Sequence, residues 1–172
     1  MRGVALLGST GSIGVSTLSV LRRHPGRFRV VAMAAGANRE AFAAQVEEWK
    51  PAFAGLAAGG LSGCASGPEC LIEAATHPDV DVVVNAVVGF AGLDATLAAL
   101  RAGKRVALAN KESLVAGGEL VLAAARAGGG ELVPVDSEHS AVLQCVAGRS
   151  APATRLILTA SGGPFREWDA GR

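Results

Sequence analysis

The sequence predicts an α/β protein built on a doubly wound parallel sheet, and three observations support this prediction. Short apolar segments alternate with helix-like segments of roughly ten residues along most of the chain. Residues 28–34 are apolar almost throughout, as expected of a strand that is covered on both faces. Glycine-rich runs fall where helix-like segments end, so we interpret them as helix ends rather than as linkers.

Several predicted helices end at a residue that breaks the helical pattern, such as Pro51 after the second helix. The predicted strands are residues 4–7, 28–34, 53–56, 80–84, 105–109, 131–135 and 155–160. The predicted helices are residues 13–23, 40–50, 69–76, 93–101, 119–126 and 141–146. Residues 57–67 are rich in Gly, Ala and Ser, which predicts a surface loop.

Composition and charge exclude several classes of protein. The chain has 172 residues, of which 50% are hydrophobic, enough for about one domain with a proper core. A net charge of +1, with no basic run and 4% aromatic residues, is not typical of a nucleic-acid-binding protein. No apolar run approaches the roughly 20 residues that cross a membrane. We therefore expect neither a nucleic acid nor a membrane as a partner.

The cysteines indicate a reducing compartment. Cys64, Cys70 and Cys145 are an odd number without metal-binding spacing, which favours free thiols over a disulfide framework. Cys145 lies in an apolar helical segment and is expected in the core. The first strand begins so close to Met1 that no signal or transit peptide is expected. These observations predict a cytoplasmic protein.

A glycine-rich turn near the amino terminus organises the predicted fold. Residues 8–14, Gly-Ser-Thr-Gly-Ser-Ile-Gly, follow the first strand and precede the first helix. Glycines in this position let backbone N–H groups approach a pyrophosphate, and the helix N-terminus favours its negative charge. The spacing differs from the commoner G-x-G-x-x-G, and a tight turn without a ligand is the alternative. The flanking elements favour nucleotide binding.

The residues after the second strand indicate which dinucleotide would bind. This position contacts the adenosine ribose in dinucleotide-binding folds, where an acidic residue would hold a 2′-hydroxyl group. Here Gly36 and Ala37 are followed by Asn38 and Arg39, which suit a 2′-phosphate instead. This favours NADP over NAD, although Arg39 could equally be a solvated residue at the start of a helix.

A second polar segment lies between a strand and a helix, where ligands gather in open α/β sheets. Lys111 supplies a positive charge there, and Asn110 and Glu112 can hydrogen-bond a ribose or a nicotinamide. The alternative is that Glu112 favours the helix N-terminus and that Lys111 is solvated.

A pair of carboxylates follows the last well-defined strand. If the extended backbone continues, Asp136 and Glu138 lie on the same side, and a hard cation such as Mg²⁺ or Mn²⁺ would relieve their repulsion. The alternative is that they stabilise the start of the next helix. His139 is interpreted as a packing or outer residue rather than a ligand.

Taken together, four segments closely resemble, in order, the N-terminal half of the 1-deoxy-D-xylulose 5-phosphate reductoisomerase family. They are residues 8–14, 109–115, 134–139 and 160–166. The resemblance implies an enzyme of non-mevalonate isoprenoid biosynthesis. Such an enzyme rearranges 1-deoxy-D-xylulose 5-phosphate and reduces the resulting aldehyde with NADPH to 2-C-methyl-D-erythritol 4-phosphate. It also implies Mn²⁺ or Mg²⁺, with Co²⁺ as an alternative, and a homodimer for the full-length enzyme.

The resemblance also assigns roles to individual residues. The implied NADPH-binding residues are Thr10, Gly11, Ser12, Ile13, Gly36, Ala37, Asn38, Asn110 and Glu112. The implied substrate-binding residues are Lys111, Ser137, Glu138 and Ser161, of which Lys111 and Glu138 are expected to be catalytic. The implied metal ligands are Asp136 and Glu138. Ala37 departs from a family pattern that often has a basic residue there, so the 2′-phosphate argument depends on Asn38 and Arg39.

The resemblance implies two domains and an incomplete active site. We expect residues 1–134 to form a Rossmann-like NADPH-binding domain and residues 135–172 to begin a catalytic, metal-binding domain. Family members continue well beyond this point and supply a third carboxylate ligand, so we expect the chain alone to bind NADPH but to turn over substrate poorly.

Two rival functions are an enzyme of the aspartate-semialdehyde dehydrogenase type and a stand-alone NADPH-binding module. The first rival needs a cysteine nucleophile in a loop, whereas Cys145 lies in a predicted helix. The second rival is favoured by the abrupt stop of the sequence at Gly171-Arg172.

Overall fold

A computed structural model of the chain describes residues 1–157 and 168–169. The chain divides into two compact units, Met1–Asp136 and Ser137–Arg172. The first unit contains every strand of the described residues, and the second contains one helix.

The first unit is built on a parallel sheet of seven strands, which confirms the predicted fold class. The strands are β1 (Arg2–Leu7), β2 (Phe28–Ala35), β3 (Phe53–Leu56), β4 (Ala65–Ser66), β5 (Val82–Asn85), β6 (Arg105–Leu108) and β7 (Glu131–Pro134). Their order in the described sheet is β4-β3-β2-β1-β5-β6-β7, and every neighbouring pair is parallel. The order reverses beside β1, and ligands of open α/β sheets bind at such a switch point.

Helices cover both faces of the sheet, so the fold is doubly wound. The helices are α1 (Ser12–Arg22), α2 (Arg39–Trp49), α3 (Cys70–Thr76), α4 (Leu93–Arg101), α5 (Lys111–Gly128) and, in the second unit, α6 (Ser137–Val146). Alternate residues of β1 point to opposite faces: Leu6 packs in the cluster that contains Leu18 of α1 and Phe42 of α2, whereas Leu7 packs in the cluster that contains residues of α3, α4 and α5. Burial of these two layers is the main stabilising contribution.

The largest difference from the predicted elements concerns α5. The prediction began this helix at residue 119, whereas the helix begins at Lys111. The pair Gly117 and Gly118 interrupts the helical pattern of the sequence, and Gly117 has a non-helical backbone (φ −120°, ψ 19°). A Cβ at Gly117 would lie 2.9 Å from the side chain of Leu93, so the absence of a side chain at Gly117 lets α5 approach the start of α4 closely.

Three other predicted segments need correction. The predicted surface loop 57–67 contains the short strand β4, which extends the sheet by pairing with β3. Helix α6 begins four residues earlier than predicted, at Ser137. Of the predicted strand 155–160, the described residues 155–157 have no regular structure and the others lie outside the described residues. No helix in the described ranges is both long and apolar enough to cross a membrane.

The three cysteines are free thiols, as predicted, but Cys145 is exposed rather than in the core. Its helix α6 has no buried residue, so the apolar pattern of that segment is not matched by burial within the described residues. Cys70 is buried, and burial together with Glu73 and Glu69 raises the pKa of its thiol to about 11. Burial also raises the pKa of Cys64.

These environments predict an order of thiol reactivity. Because the thiolate is the nucleophile, a raised pKa and burial both slow alkylation. We expect iodoacetamide at about pH 8 to label Cys145 first, Cys64 more slowly and Cys70 only after unfolding. Mass spectrometry of digested samples over time checks this order. Labelling of Cys70 as fast as Cys145 in the native protein would contradict it.

Candidate functional site

The glycine-rich turn between β1 and α1 is a tightly packed backbone loop, and we call residues 8–14 the phosphate loop. Gly8 has a φ of +79°, which L side chains rarely adopt, and its N–H donates to the carbonyl of Ala34 over 2.8 Å. A Cβ at Gly14 would lie 2.5 Å from the carbonyl oxygen of Ser9 and still closer to that of Gly8. Glycine at both positions is therefore required by the loop itself.

The N-terminus of α1 is left open to an anion. Its N-cap residue, Gly11, makes no side-chain capping hydrogen bond, and the first turn contains no acidic residue. The unpaired N–H groups and the positive end of the helix dipole make such a terminus a favourable site for a phosphate group. The loop therefore has the geometry of a phosphate-binding turn, and phosphate binding itself stays a prediction.

The residues that follow β2 lie at the same edge of the sheet, because β2 pairs with β1 in parallel. Gly36, Ala37, Asn38 and Arg39 are all exposed. The side chain of Asn38 caps α2 by accepting a hydrogen bond from the N–H of Ala41 over 3.2 Å. This part of the edge is accessible to a ligand.

A cleft at the switch point brings two of the predicted segments together. Its volume is about 170 Å³. It is lined by Gly11, Ser12 and Ile13 of the phosphate loop, by Ala86, Val87 and Val88 after β5, and by Ala109, Asn110, Lys111 and Glu112 after β6. No sequence motif predicted that the segment after β5 belongs to the site. The one signal for it in the sequence is that an apolar strand ends in a polar residue, Asn85.

Asn110 is the buried centre of the cleft wall. Its side chain is 2% exposed. Its Nδ2 donates to the carbonyls of Val87 and of Gly89, the latter over 2.7 Å. Its Oδ1 accepts from the N–H of Ser113 over 2.8 Å and from the Ser113 hydroxyl over 2.6 Å, which caps α5. All of its side-chain polar atoms are therefore used by the protein, and a cofactor contact from Asn110 stays a prediction.

A second buried asparagine, Asn85, also hydrogen-bonds the backbone of the cleft wall at Val87. Asn85 is 0% exposed, and its Nδ2 donates to the carbonyl of Gly92 and to the hydroxyl of Thr96, each over 2.8 Å. Its Oδ1 accepts from the N–H of Val87 over 3.1 Å. Asn85 and Asn110 together fix the backbone around Val87, so this wall is formed before any ligand binds.

Lys111 and Glu112 are exposed at the start of α5 and border the cleft. Their position places an ammonium group and a carboxylate at the edge of the cleft, where both can contact a bound ligand. Glu112 also lies in the first turn of α5, where a negative charge is favourable, so both interpretations made from the sequence remain compatible with its position.

The two predicted metal ligands, Asp136 and Glu138, do not lie on one continuous extended segment, as the sequence argument assumed. Helix α6 begins at Ser137, so the alternation of an extended strand does not relate Asp136 to Glu138, and that argument is wrong. The residues that the structure describes contain no group of three His, Cys, Asp or Glu side chains able to hold a metal ion. The assignment of both carboxylates as ligands stays a prediction.

The second unit places the predicted substrate residues on a cleft of its own, with a volume of about 250 Å³. Ser137 and Glu138 line it together with Cys145, and the Ser137 hydroxyl donates to the Glu138 carboxylate over 2.8 Å. Of the two remaining predicted substrate residues, Lys111 borders the cleft of the first unit and Ser161 lies outside the described residues.

Comparison with known proteins identifies the relatives of this chain. The family model for 1-deoxy-D-xylulose 5-phosphate reductoisomerase matches residues 4–118, and the model for the C-terminal domain of that enzyme matches residues 132–172. The reductoisomerase of Symbiobacterium thermophilum is 50% identical over 96% of this chain and 47% of its own length. That of Rhodococcus jostii is 53% identical over 98% of this chain and 44% of its own length. The chain thus spans about half the length of the curated relatives it matches.

Solved structures give the same result. A crystal structure of DOX-P reductoisomerase in complex with NADPH, fosmidomycin and magnesium superposes with a TM-score of 0.81 and 42% identity, covering 86% of this chain and 40% of that one. The Zymomonas mobilis 1-deoxy-D-xylulose 5-phosphate reductoisomerase in complex with NADPH gives a TM-score of 0.77 and 44% identity, covering 84% of this chain and 41% of that one.

Proposed function

The chain belongs to the 1-deoxy-D-xylulose 5-phosphate reductoisomerase family, and from that premise we propose that it supplies the NADPH site and part of the active site of such an enzyme. The proposed reaction converts 1-deoxy-D-xylulose 5-phosphate to 2-C-methyl-D-erythritol 4-phosphate in isoprenoid biosynthesis. The observation that carries the proposal is the cleft in which the phosphate loop faces the segment Asn110, Lys111 and Glu112.

The phosphate loop fits the pyrophosphate of NADPH. Close backbone packing at Gly14 and the uncapped first turn of α1 present N–H groups to an anion. We assign the phosphate contacts to Thr10, Gly11, Ser12 and Ile13. Asn38 and Arg39, both exposed after β2, would face the adenosine end and its 2′-phosphate. When bound, NADPH supplies the hydride for the reduction.

The residues at the start of α5 would act on the reacting end. Glu112 would hydrogen-bond toward the nicotinamide. Lys111 would bind the substrate, and its ammonium group would stabilise negative charge that develops on a substrate oxygen. Both side chains are exposed on the cleft, and their backbone lies at the start of a helix that Asn110 caps, so their points of attachment are fixed before substrate binds.

The predicted metal ligands fit a hard cation by the chemistry of their donors. Carboxylate oxygens, as on Asp136 and Glu138, suit Mg²⁺ or Mn²⁺. When bound, such a cation supplies Lewis-acid polarisation of a substrate carbonyl. Ser137 and Glu138 would bind substrate hydroxyl groups from the cleft of the second unit. Two carboxylates leave the cation's coordination incomplete, which supports low activity of this polypeptide alone.

We further propose a homodimeric full-length enzyme in the cytoplasm. The free state of all three cysteines supports a reducing compartment. The runner-up is a stand-alone NADPH-binding module, which is favoured by the fact that the first unit alone forms the cofactor cleft.

A polypeptide of these 172 residues is expected to bind NADPH without catalysing its steady oxidation. Isothermal titration measures the binding. The loss of near-ultraviolet absorbance of NADPH, with 1-deoxy-D-xylulose 5-phosphate and Mn²⁺ present, measures turnover. The full-length relative from Symbiobacterium thermophilum is the positive control for substrate and assay.

Each outcome decides between the alternatives. Absence of NADPH binding would overturn the proposed cofactor site. Steady, metal-dependent turnover by the 172-residue polypeptide would overturn the expectation of an incomplete active site. If NADPH binds without turnover, addition of a polypeptide that carries the remaining half of a relative should restore turnover; a failure to do so would favour the stand-alone module.

A further inference from the structure

Helix α2 contacts the phosphate loop through one side chain that no sequence motif predicted. Gln45 lies near the end of α2, and its Nε2 donates to the backbone carbonyl of Ser9 over 3.0 Å. Ser9 is 0% exposed and follows Gly8 in the phosphate loop. The contact therefore joins residues 36 positions apart in the sequence at the base of the proposed cofactor site.

The Ser9 peptide that Gln45 holds is central to the loop. The N–H of Ser9 donates to the carbonyl of Ala34 over 3.1 Å. The carbonyl of Ser9 is also the group against which Gly14 packs. A change in the orientation of this peptide would shift Thr10 and the start of α1 together, because both are connected to it by a few residues of closely packed backbone.

The hydrogen bond that Nε2 of Gln45 donates to Ser9 fixes the orientation of the Gln45 carboxamide. In the described part of the chain its Oε1 and the Ser9 hydroxyl are buried and make no hydrogen bond. Rotating the amide by half a turn would place Oε1 against the Ser9 carbonyl, so the donor must face the loop. Because an unpaired buried acceptor is unfavourable, a glutamine here is costly for stability. A role in holding the loop explains its presence.

Helix α2 is anchored in the core, and its first residues lie in the segment assigned to the adenosine end of the cofactor. Phe42, one turn before Gln45, is 0% exposed and anchors the helix in the core. Asn38 caps the same helix and lies in the segment assigned to the adenosine end. Helix α2 thus holds the phosphate loop through Gln45 and is capped at its start by Asn38, in the segment assigned to the adenosine end.

We propose that Gln45 is a positioning residue for the dinucleotide: it holds the Ser9 peptide so that the phosphate loop is shaped before the cofactor binds. The inference rests on the proposed NADPH function. Such preorganisation raises affinity because less order has to be gained on binding.

The substitution Gln45→Glu tests the proposal with little change of shape. Above the pKa of the new carboxyl group, its oxygens cannot donate to the Ser9 carbonyl and repel it. We expect NADP⁺, which is stable in acid, to bind about tenfold or more weakly at about pH 8 than to the unaltered chain. Burial against the Ser9 carbonyl oxygen would raise the pKa of the new carboxyl group above that of an ordinary glutamate. At about pH 5 we therefore expect the carboxyl group to be largely protonated and to donate again, which closes the affinity gap to about threefold.

Two further variants separate positioning from a general effect on folding. Gln45→Met keeps the size but lacks any donor, so its weaker binding should not depend on pH. Glu47→Gln makes the reverse exchange at an exposed position of the same helix, removing one negative charge, and should bind like the unaltered chain. Isothermal titration at both pH values gives the affinities, and thermal unfolding shows whether each variant is folded.

The outcomes distinguish this inference from the function on which it rests. Absence of NADP⁺ binding by the unaltered chain would overturn the proposed function and the inference with it. Normal binding by the unaltered chain and by Gln45→Glu at about pH 8 would overturn the inference alone. A loss in Gln45→Glu that is the same at both pH values would also overturn it, whereas recovery in acid, absent from Gln45→Met, supports it.

Discussion

Replacing Gly14 by alanine is expected to abolish measurable NADPH binding and to lower the free energy of unfolding by about 3 kcal/mol. The added Cβ would lie 2.5 Å from the Ser9 carbonyl oxygen and closer to that of Gly8, and both obstacles are backbone atoms. A flexible side chain could move aside, but here either α1 or the phosphate loop has to shift. The unpaired N–H groups of α1 would then no longer face the pyrophosphate.

Two other glycines provide matched controls for this variant. A Cβ at Gly118 meets nothing within 4 Å, so Gly118→Ala should leave NADPH binding unchanged and stabilise helix α5 by up to about 1 kcal/mol. At Gly11 the φ is −77° and the nearest atom to a Cβ is 3.4 Å away, so Gly11→Ala should retain the stability of the unaltered chain. Its methyl group would nevertheless weaken NADPH binding, because Gly11 lines the cleft.

Urea denaturation and isothermal titration measure the two effects of the Gly14 substitution separately. If Gly14→Ala unfolds at the same urea concentration as the unaltered chain and binds NADPH with the same affinity, the argument from close packing is wrong.

Replacing Asn110 by alanine is expected to lower the free energy of unfolding by about 3 kcal/mol and to weaken NADPH binding at least about tenfold. The substitution removes the cap of α5 and leaves the carbonyls of Val87 and Gly89 without their donor. Because those carbonyls belong to the cleft wall, the wall would relax, and the start of α5, which carries Lys111, would lose its cap.

Two variants divide this loss into its parts. Asn38→Ala removes an exposed N-cap whose side chain makes one hydrogen bond within the described part of the chain, so we expect a cost of about 1 kcal/mol. Asn110→Asp can still cap α5 but cannot donate to the two carbonyls. Their oxygens would raise the pKa of the new carboxyl group, so this variant should be most stable in acid and should lose stability as the pH rises through that pKa. Equal urea midpoints for Asn110→Ala and Asn38→Ala would contradict the central role of Asn110.

The fold class and the phosphate loop were predictable because the information for them is local. Runs of apolar residues indicate strands covered on both faces, and the spacing of Gly8, Gly11 and Gly14 between a strand and a helix indicates a phosphate-binding turn. The same is true of Asn110, Lys111 and Glu112, since a polar segment after a parallel strand must lie at the carboxyl edge of the sheet.

What the tertiary structure alone decided is which side chains meet. The donor role of Asn110 toward Val87 and Gly89, and that of Gln45 toward Ser9, join residues more than 20 positions apart in the sequence. The need for glycine at position 117 depends on Leu93 of another helix, and the exposure of Cys145 depends on what surrounds α6. A local pattern encodes backbone period and turn conformation, whereas partners and burial are set by the packing of distant elements. The sequence therefore determined the architecture and the place of the proposed cofactor site, and the packing determined how the cleft at that place is held.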